Sequence, residues 1–135
     1  DPAGTGGPVA ALASALSVRL GAAIAATGAA DVVTDGTRLV HLARGHPWLG
    51  RITGSGCMAT ACVGAFVAVE RDPLAAATAG LACFEIAAEQ AAERAAGPGS
   101  FRVALLDALA ALEPETVAAQ AAWRVEAAPG RDGRP

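Results

Sequence analysis

The sequence predicts an α/β fold, and three observations carry that reading. A helical apolar stripe runs into a glycine and then into a short apolar run that ends in Thr27-Gly28. Asp35-Gly36 separates two β-prone runs. Beyond Cys57 the apolar residues recur at helical spacing almost to the end of the chain. Helix, glycine, buried strand and tight turn in succession is the rhythm of a sheet covered by helices.

The elements follow in order. Val9, Leu12, Ala13, Leu16 and Leu20 form a stripe, with Pro8 suited to a first helical turn and Gly21 to a stop. Ala22–Ala26 reads as a short buried strand. Asp31–Thr34 and Thr37–Leu42 read as the strands of a hairpin turning on Asp35-Gly36, with both central residues expected at positive φ. Gly45-His46-Pro47-Trp48 is a loop. Met58, Ala61, Cys62, Ala65, Phe66 and Val69 give the inner face of the next helix. Asp72-Pro73 starts another, with Leu74, Ala77, Leu81, Phe84 and Ala88 facing inward. Pro98-Gly99-Ser100 opens a further helix that carries Phe101, Ala104, Leu105, Ala108, Leu109 and Leu112, and a short helix restarts at Pro114. Residues 127–135 are Pro, Gly and charge and are expected to be disordered, which leaves 1–126 as part of one domain. One strand and a hairpin is little sheet. Together with a start lacking Met, this suggests an internal segment of a longer chain, with partner strands upstream.

Composition narrows the functions. The net charge is −3, and all ten basic residues are scattered arginines, which argues against a nucleic-acid surface. No run has the ~20 strongly apolar residues of a membrane span, and the first residues lack a signal-peptide plan. Cytoplasm is the expected compartment. Cys57, Cys62 and Cys83 suit a reducing environment, and their spacing fits neither a disulfide framework nor a metal site.

The chemistry concentrates in Thr53-Gly54-Ser55-Gly56-Cys57, directly before a strongly periodic helix. Glycines let backbone N–H groups converge on a ligand, and the helix adds unpaired N–H groups and the positive end of its dipole. Fixed donors of this kind stabilise a phosphoryl group in transfer. Taken alone, a Gly-Ser-Gly loop is more often a flexible connector. It is neither a Walker A loop, which needs Gly-Lys-Ser/Thr, nor a dinucleotide fingerprint, which needs a third glycine. Cys57 falls in the first turn of the helix, where a thiol meets the dipole, while Cys62 and Cys83 sit in apolar stripes. His41 alternates in a strand and reads as structural, and His46 reads as a turn residue. Turn chemistry accounts for Asp35. Glu85, Glu89 and Glu93, at i,i+4 spacing, read as a solvated helix face.

The ordered set Thr27-Gly28, Asp31-Val32-Val33-Thr34-Asp35-Gly36, Gly45-His46-Pro47, Thr53-Gly54-Ser55-Gly56-Cys57-Met58 and Gly97-Pro98-Gly99-Ser100-Phe101 resembles successive motifs of the hydroxyethylthiazole kinases, over about residues 8–112. The resemblance implies the C-terminal half of a ribokinase-like three-layer α/β/α fold. It implies ATP- and Mg²⁺-dependent phosphorylation of the primary alcohol of 4-methyl-5-(2-hydroxyethyl)thiazole, a salvage step for thiamine, by a homotrimer with sites near subunit contacts. By position, Thr27 matches the family's nucleotide-contacting Thr and Gly54 its thiazole-contacting Gly. Gly54, Ser55, Gly56 and Cys57 match its anion hole, with Cys57 at the catalytic position. Many ribokinase-like relatives place Asp where this chain has Cys57. The superfamily's Asn-and-acid element for Mg²⁺ falls outside this chain, which contains no Asn, so no metal ligand is expected here and the isolated chain is expected to be inactive. Two alternatives are a ribokinase-like kinase for hydroxymethylpyrimidine or pyridoxal, and a non-catalytic nucleotide-binding or oligomerisation half-domain. Cys57 in place of Asp and the Gly45-His46-Pro47 element favour the thiazole enzyme.

Overall fold

The computed structural model describes residues 7–130. Five helices and four strands run in the order α1 (Gly7–Leu20), β1 (Ile24–Ala26), β2 (Asp31–Thr34), β3 (Arg38–Leu42), α2 (Ser55–Val67), α3 (Pro73–Arg94), α4 (Pro98–Ala110), α5 (Pro114–Gln120) and β4 (Trp123–Ala127). A one-turn 3₁₀ segment, Pro47–Arg51, precedes α2. The strands form one antiparallel sheet in the order β1-β2-β3-β4.

Strand alternation divides the side chains between two faces. Val32 and Leu39 pack with Ala10 of α1 on one face. Val33, Val40 and Leu42 join Leu81, Phe84 and Ala88 of α3 and Phe101 and Leu105 of α4 on the other. Helices therefore cover both sides of the sheet, as a three-layer α/β/α arrangement requires.

Three local readings are corrected. The residues of α1 buried on the sheet are Ala10, Ala13, Ser14 and Ser17, whereas Leu12 is 71% and Leu20 60% exposed. Of the expected stripe Ala13 is buried, while Val9, Leu12, Leu16 and Leu20 are exposed because small residues let the helix lie close to the strands. Polar groups in that seam are satisfied: the Ser17 hydroxyl donates to Ala22 O at 2.6 Å, and the Ser14 hydroxyl donates to Thr34 Oγ1 at 3.4 Å.

The hairpin forms, but its turn lies one residue later. Asp35 N–H donates to Arg38 O, so Gly36 and Thr37 are the central residues. Of these two only Gly36 has positive φ (88°), and no non-glycine residue among the described residues does. Glycine at the first central position is the requirement of a type II′ turn. The Asp35 carboxylate accepts from Thr37 N–H, Thr37 Oγ1 and Arg38 N–H at 2.7–2.9 Å. Slight burial pushes its pKa up, but these bonds and the Arg38 guanidinium outweigh that and hold it well below the usual carboxylate range. Arg38 also reaches Asp72, the N-cap of α3, at 3.0 and 3.1 Å, which ties the hairpin to that helix.

The third correction is β4, which the sequence reading did not contain. It pairs with β3 in the register Val40↔Val125 and His41↔Arg124, and His41 Nε2 lies 2.8 Å from Glu126 Oε1. The strand ends at Ala127, and Ala128 N–H donates to Thr37 O at 2.9 Å. Of the rest of the expected tail, residues 128–130 form no regular element and 131–135 lie outside the described residues.

All five inward residues assigned to α3 are buried. In α2, Met58, Cys62 and Phe66 are half-buried as expected, but Ala61 and Ala65 are exposed, as is Val69 beyond the helix end, and Ala59 and Val63 take their place against α3. The α2–α3 crossing is close. A Cβ added at Gly80 would lie 2.7 Å from Val63 Cα and 2.8 Å from its backbone N. Only glycine fits there, and this contact fixes the helix that carries the glycine loop.

Candidate active site

Two turns and two helices converge on a cleft of about 680 Å³. Thr27 and Gly28, directly after β1, form one wall. Arg44 to Pro47, after β3, form the second. Ser55, Gly56 and Ala59 of α2 form the third, and Phe84, Glu85 and Glu89 of α3 form the floor.

The α2 wall is built by backbone geometry. Gly54 is the N-cap with φ 93°, a left-handed conformation that L side chains rarely adopt. The first ladder bond of the helix is Met58 N–H to Gly54 O at 2.9 Å. The N–H groups of Ser55, Gly56 and Cys57 precede it, at the positive end of the helix dipole. A Cβ added at Gly56 would meet nothing within 4 Å, so the space over this backbone is open to a ligand. Cys57 is exposed, beside the loop and not among the residues that line the cleft. Cys62 and Cys83 are half-buried, and desolvation pushes both thiols up, with Cys62 adding to the shift at Cys83.

The Thr27 wall is shaped by Asp31, whose Oδ1 accepts from Gly28 N–H at 2.8 Å. Burial raises the Asp31 pKa, and that bond partly offsets it. The second wall is held from below. The Arg44 guanidinium forks onto Glu89, with Nε at 3.1 and 3.2 Å from its oxygens, and donates to Gln120 O at 2.5 Å. Glu89 also accepts from Gly45 N–H at 3.1 Å. The Arg44 hydrogen bond is the main cause that lowers the Glu89 pKa. His46 caps the 3₁₀ turn, its Nδ1 accepting from Trp48 N–H at 3.2 Å. Its ring packs at 4.8 Å from Trp48 and 5.8 Å from Phe101. It is a turn residue, as expected, and it also lines the cleft.

Sequence reasoning missed Arg44, Glu85 and Glu89. The expected solvated face of Glu85, Glu89 and Glu93 holds for Glu93 alone, since Glu85 is 4% exposed and Glu89 half-buried. Burial, reinforced by the charges of Asp31 and Glu89 and opposed by the Arg44 backbone and charge, pushes the Glu85 carboxyl up to about 7. A hint lies in the run around it, Leu81 to Ala88, which is apolar but for Glu85. Among the described residues no three His, Cys, Asp or Glu side chains are grouped to hold a metal ion, so no step is assigned to Mg²⁺ on this chain.

The arrangement can receive an anion at the α2 wall and a larger ligand between that wall and Thr27. Known proteins settle whose architecture it is. The model of the hydroxyethylthiazole kinase family matches residues 3–115. The chain belongs to the hydroxyethylthiazole kinase family. A hydroxyethylthiazole kinase of Granulibacter bethesdensis is 57% identical over 111 residues, which cover 82% of this chain and 40% of that protein. One of Methanocella arvoryzae is 44% identical over 118 residues, covering 87% and 44%. A solved hydroxyethylthiazole kinase from Pyrococcus horikoshii superposes with a TM-score of 0.81 at 43% identity, over 85% of this chain and 45% of that one. The chain thus spans less than half the length of these hydroxyethylthiazole kinases.

Proposed function

We propose that this chain supplies the phosphate-binding side of an ATP-dependent kinase that phosphorylates the hydroxyl of 4-methyl-5-(2-hydroxyethyl)thiazole for thiamine biosynthesis. The observation that supports the reading is the shared cleft. Thr27, the family's nucleotide-contacting position by resemblance, lines the same cleft as Ser55 and Gly56 in the first turn of α2, while Gly54 and Cys57 flank them outside its lining.

In this reading the nucleotide lies against the Thr27-Gly28 turn, and its terminal phosphate points to the α2 N-terminus. The N–H groups of Ser55, Gly56 and Cys57 meet the charge that develops on the phosphoryl oxygens, and being fixed they need no reorganisation. Gly54 contacts the thiazole alcohol. Cys57 orients that alcohol, and its thiolate form accepts the alcohol proton. Phosphoryl transfer rests chiefly on positioning and charge stabilisation, so a weak base suffices in this place. Mg²⁺, as a cofactor of the family reaction, would offset phosphate charge when bound with the nucleotide. A homotrimer in the cytoplasm is the assembly and location that the family resemblance implies. No described helix is long and apolar enough to cross a membrane.

The test is substrate competition in the full-length protein carrying this chain. We expect kcat/KM for hydroxyethylthiazole to exceed that for hydroxymethylpyrimidine and pyridoxal by at least about a hundredfold, as for a site built to pair a particular polar group. Comparable values for the three alcohols would replace the thiazole assignment with a broader one. ATP binding without transfer to any of them would favour the non-catalytic alternative.

A further inference from the structure

Glu85 has a position that the transfer chemistry does not use. It is 4% exposed, yet it lines the cleft, and its stem underlies Gly45, where an added Cβ would meet Glu85 Cγ at 3.7 Å. The charged and titratable groups around it are Asp31 from β2, Arg44 and His46 from the segment after β3, and Glu89 from its own helix. Arg44 is the only arginine among the lining residues, and its guanidinium is committed to Glu89 and Gln120 O. Asp31 is occupied with Gly28 N–H. Among the described residues Glu85 has no ion pair, and its hydrogen-bond partner in the cleft is the Arg44 backbone, whose effect burial outweighs.

We propose that Glu85 sets the affinity of the cleft for its anionic ligand: as a neutral acid it is part of the wall, and as a carboxylate it repels the phosphates bound over it. The proposal rests on the reading of the cleft as a nucleotide site. The charge count gives its direction. With Glu85 neutral, Asp31, Glu89 and Arg44 sum to one negative charge, and ionisation of Glu85 adds a second, with His46 the one remaining lining group that can carry positive charge. An added charge in a partly buried site is felt strongly because solvent screens it little. The raised titration of Glu85 puts the change near neutrality.

ATP binding by the full-length protein carrying this chain, followed by calorimetry from pH 6 to 8.5, is the test. Glu85→Gln keeps the shape and removes the charge, and its profile records the titration of ATP itself. The expected result is that wild type matches Glu85→Gln at pH 6 and binds roughly tenfold more weakly at pH 8.5, the scale of one unit charge at such a site. Glu85→Leu, also neutral, should follow the Gln profile, which separates charge from any particular hydrogen bond. Wild type and Glu85→Gln with the same pH dependence would overturn the proposal and leave the nucleotide site standing. Absence of saturable ATP binding in both proteins at every pH would overturn the nucleotide reading, and this proposal with it.

Discussion

Replacing Gly80 by alanine tests whether helix packing positions the phosphate loop. The added Cβ would meet Val63 Cα at 2.7 Å, Val63 N at 2.8 Å and the Cys62 carbonyl carbon at 3.1 Å. All three are backbone atoms, so no side chain can rotate away and α2 itself must move. Relaxing the worst contact to an ordinary separation of about 3.5 Å needs a shift of roughly 0.8 Å. Overpacking of this kind costs about 1–3 kcal/mol. The same displacement reaches Ser55 and Gly56, because α2 is one short rigid helix. Misplacement by about 1 Å can cost a hundredfold in rate, so kcat should fall by at least about tenfold. The assay is urea denaturation and steady-state kinetics on the full-length protein carrying this chain. Gly64→Ala is the control: it lies in α2, an added Cβ there meets nothing within 4 Å, and helix propensity should make it neutral or stabilising by up to about 1 kcal/mol. If Gly80→Ala behaved like Gly64→Ala in both measurements, the crossing would not set the loop.

Three further substitutions address the site. Gly56→Val adds its branch in open space, so stability should change little while kcat drops about a hundredfold, the scale of losing one oxyanion donor; near-normal turnover would remove the phosphate from this loop. Cys57→Ala should lower kcat without abolishing it and Cys57→Asp should retain or raise activity, while a phosphate adduct on Cys57 in mass spectra of quenched reactions would overturn the positioning account. For Glu85→Gln the sign follows from linkage. The folded carboxyl holds its proton up to about 7 against an ordinary 4.5, so wild-type stability falls as pH rises through that window and stays low above it. The Gln variant lacks this fall and should be the more stable protein at pH 8 by up to about 3 kcal/mol, whereas parallel stability curves from pH 5 to 8 would show that Glu85 is not desolvated.

Which parts of this structure were legible in the sequence follows from side-chain size and from how far a contact reaches. The register of α3 was readable because Leu74, Leu81 and Phe84 mark one face unambiguously. In α1 the large apolar residues pointed to the wrong face, since close approach to a sheet is decided by where the small residues lie. Trp123–Ala127 alternates apolar and charged residues, a strand signal, but it is five residues long and runs straight into Pro129-Gly130, and its pairing with β3 is a contact across more than 80 residues. The glycine loop was legible from spacing alone as a possible anion site, and only the order of motifs around it made it specific. The cleft floor was not legible. Acids at i,i+4 on a helix look solvated until the strands that cover them are placed, and Arg44, the partner of Glu89, lies 45 residues away.

The account stands most directly on where the nucleotide phosphates sit. A crystal structure of the full-length protein carrying this chain, with a non-hydrolysable ATP analogue and hydroxyethylthiazole bound, would show it. The account predicts the terminal phosphate about 3 Å from the backbone nitrogens of Gly56 and Cys57, the nucleotide against Thr27, and the thiazole hydroxyl beside Cys57. Phosphates bound away from the α2 N-terminus, with the Gly54–Cys57 loop facing only solvent, would contradict it.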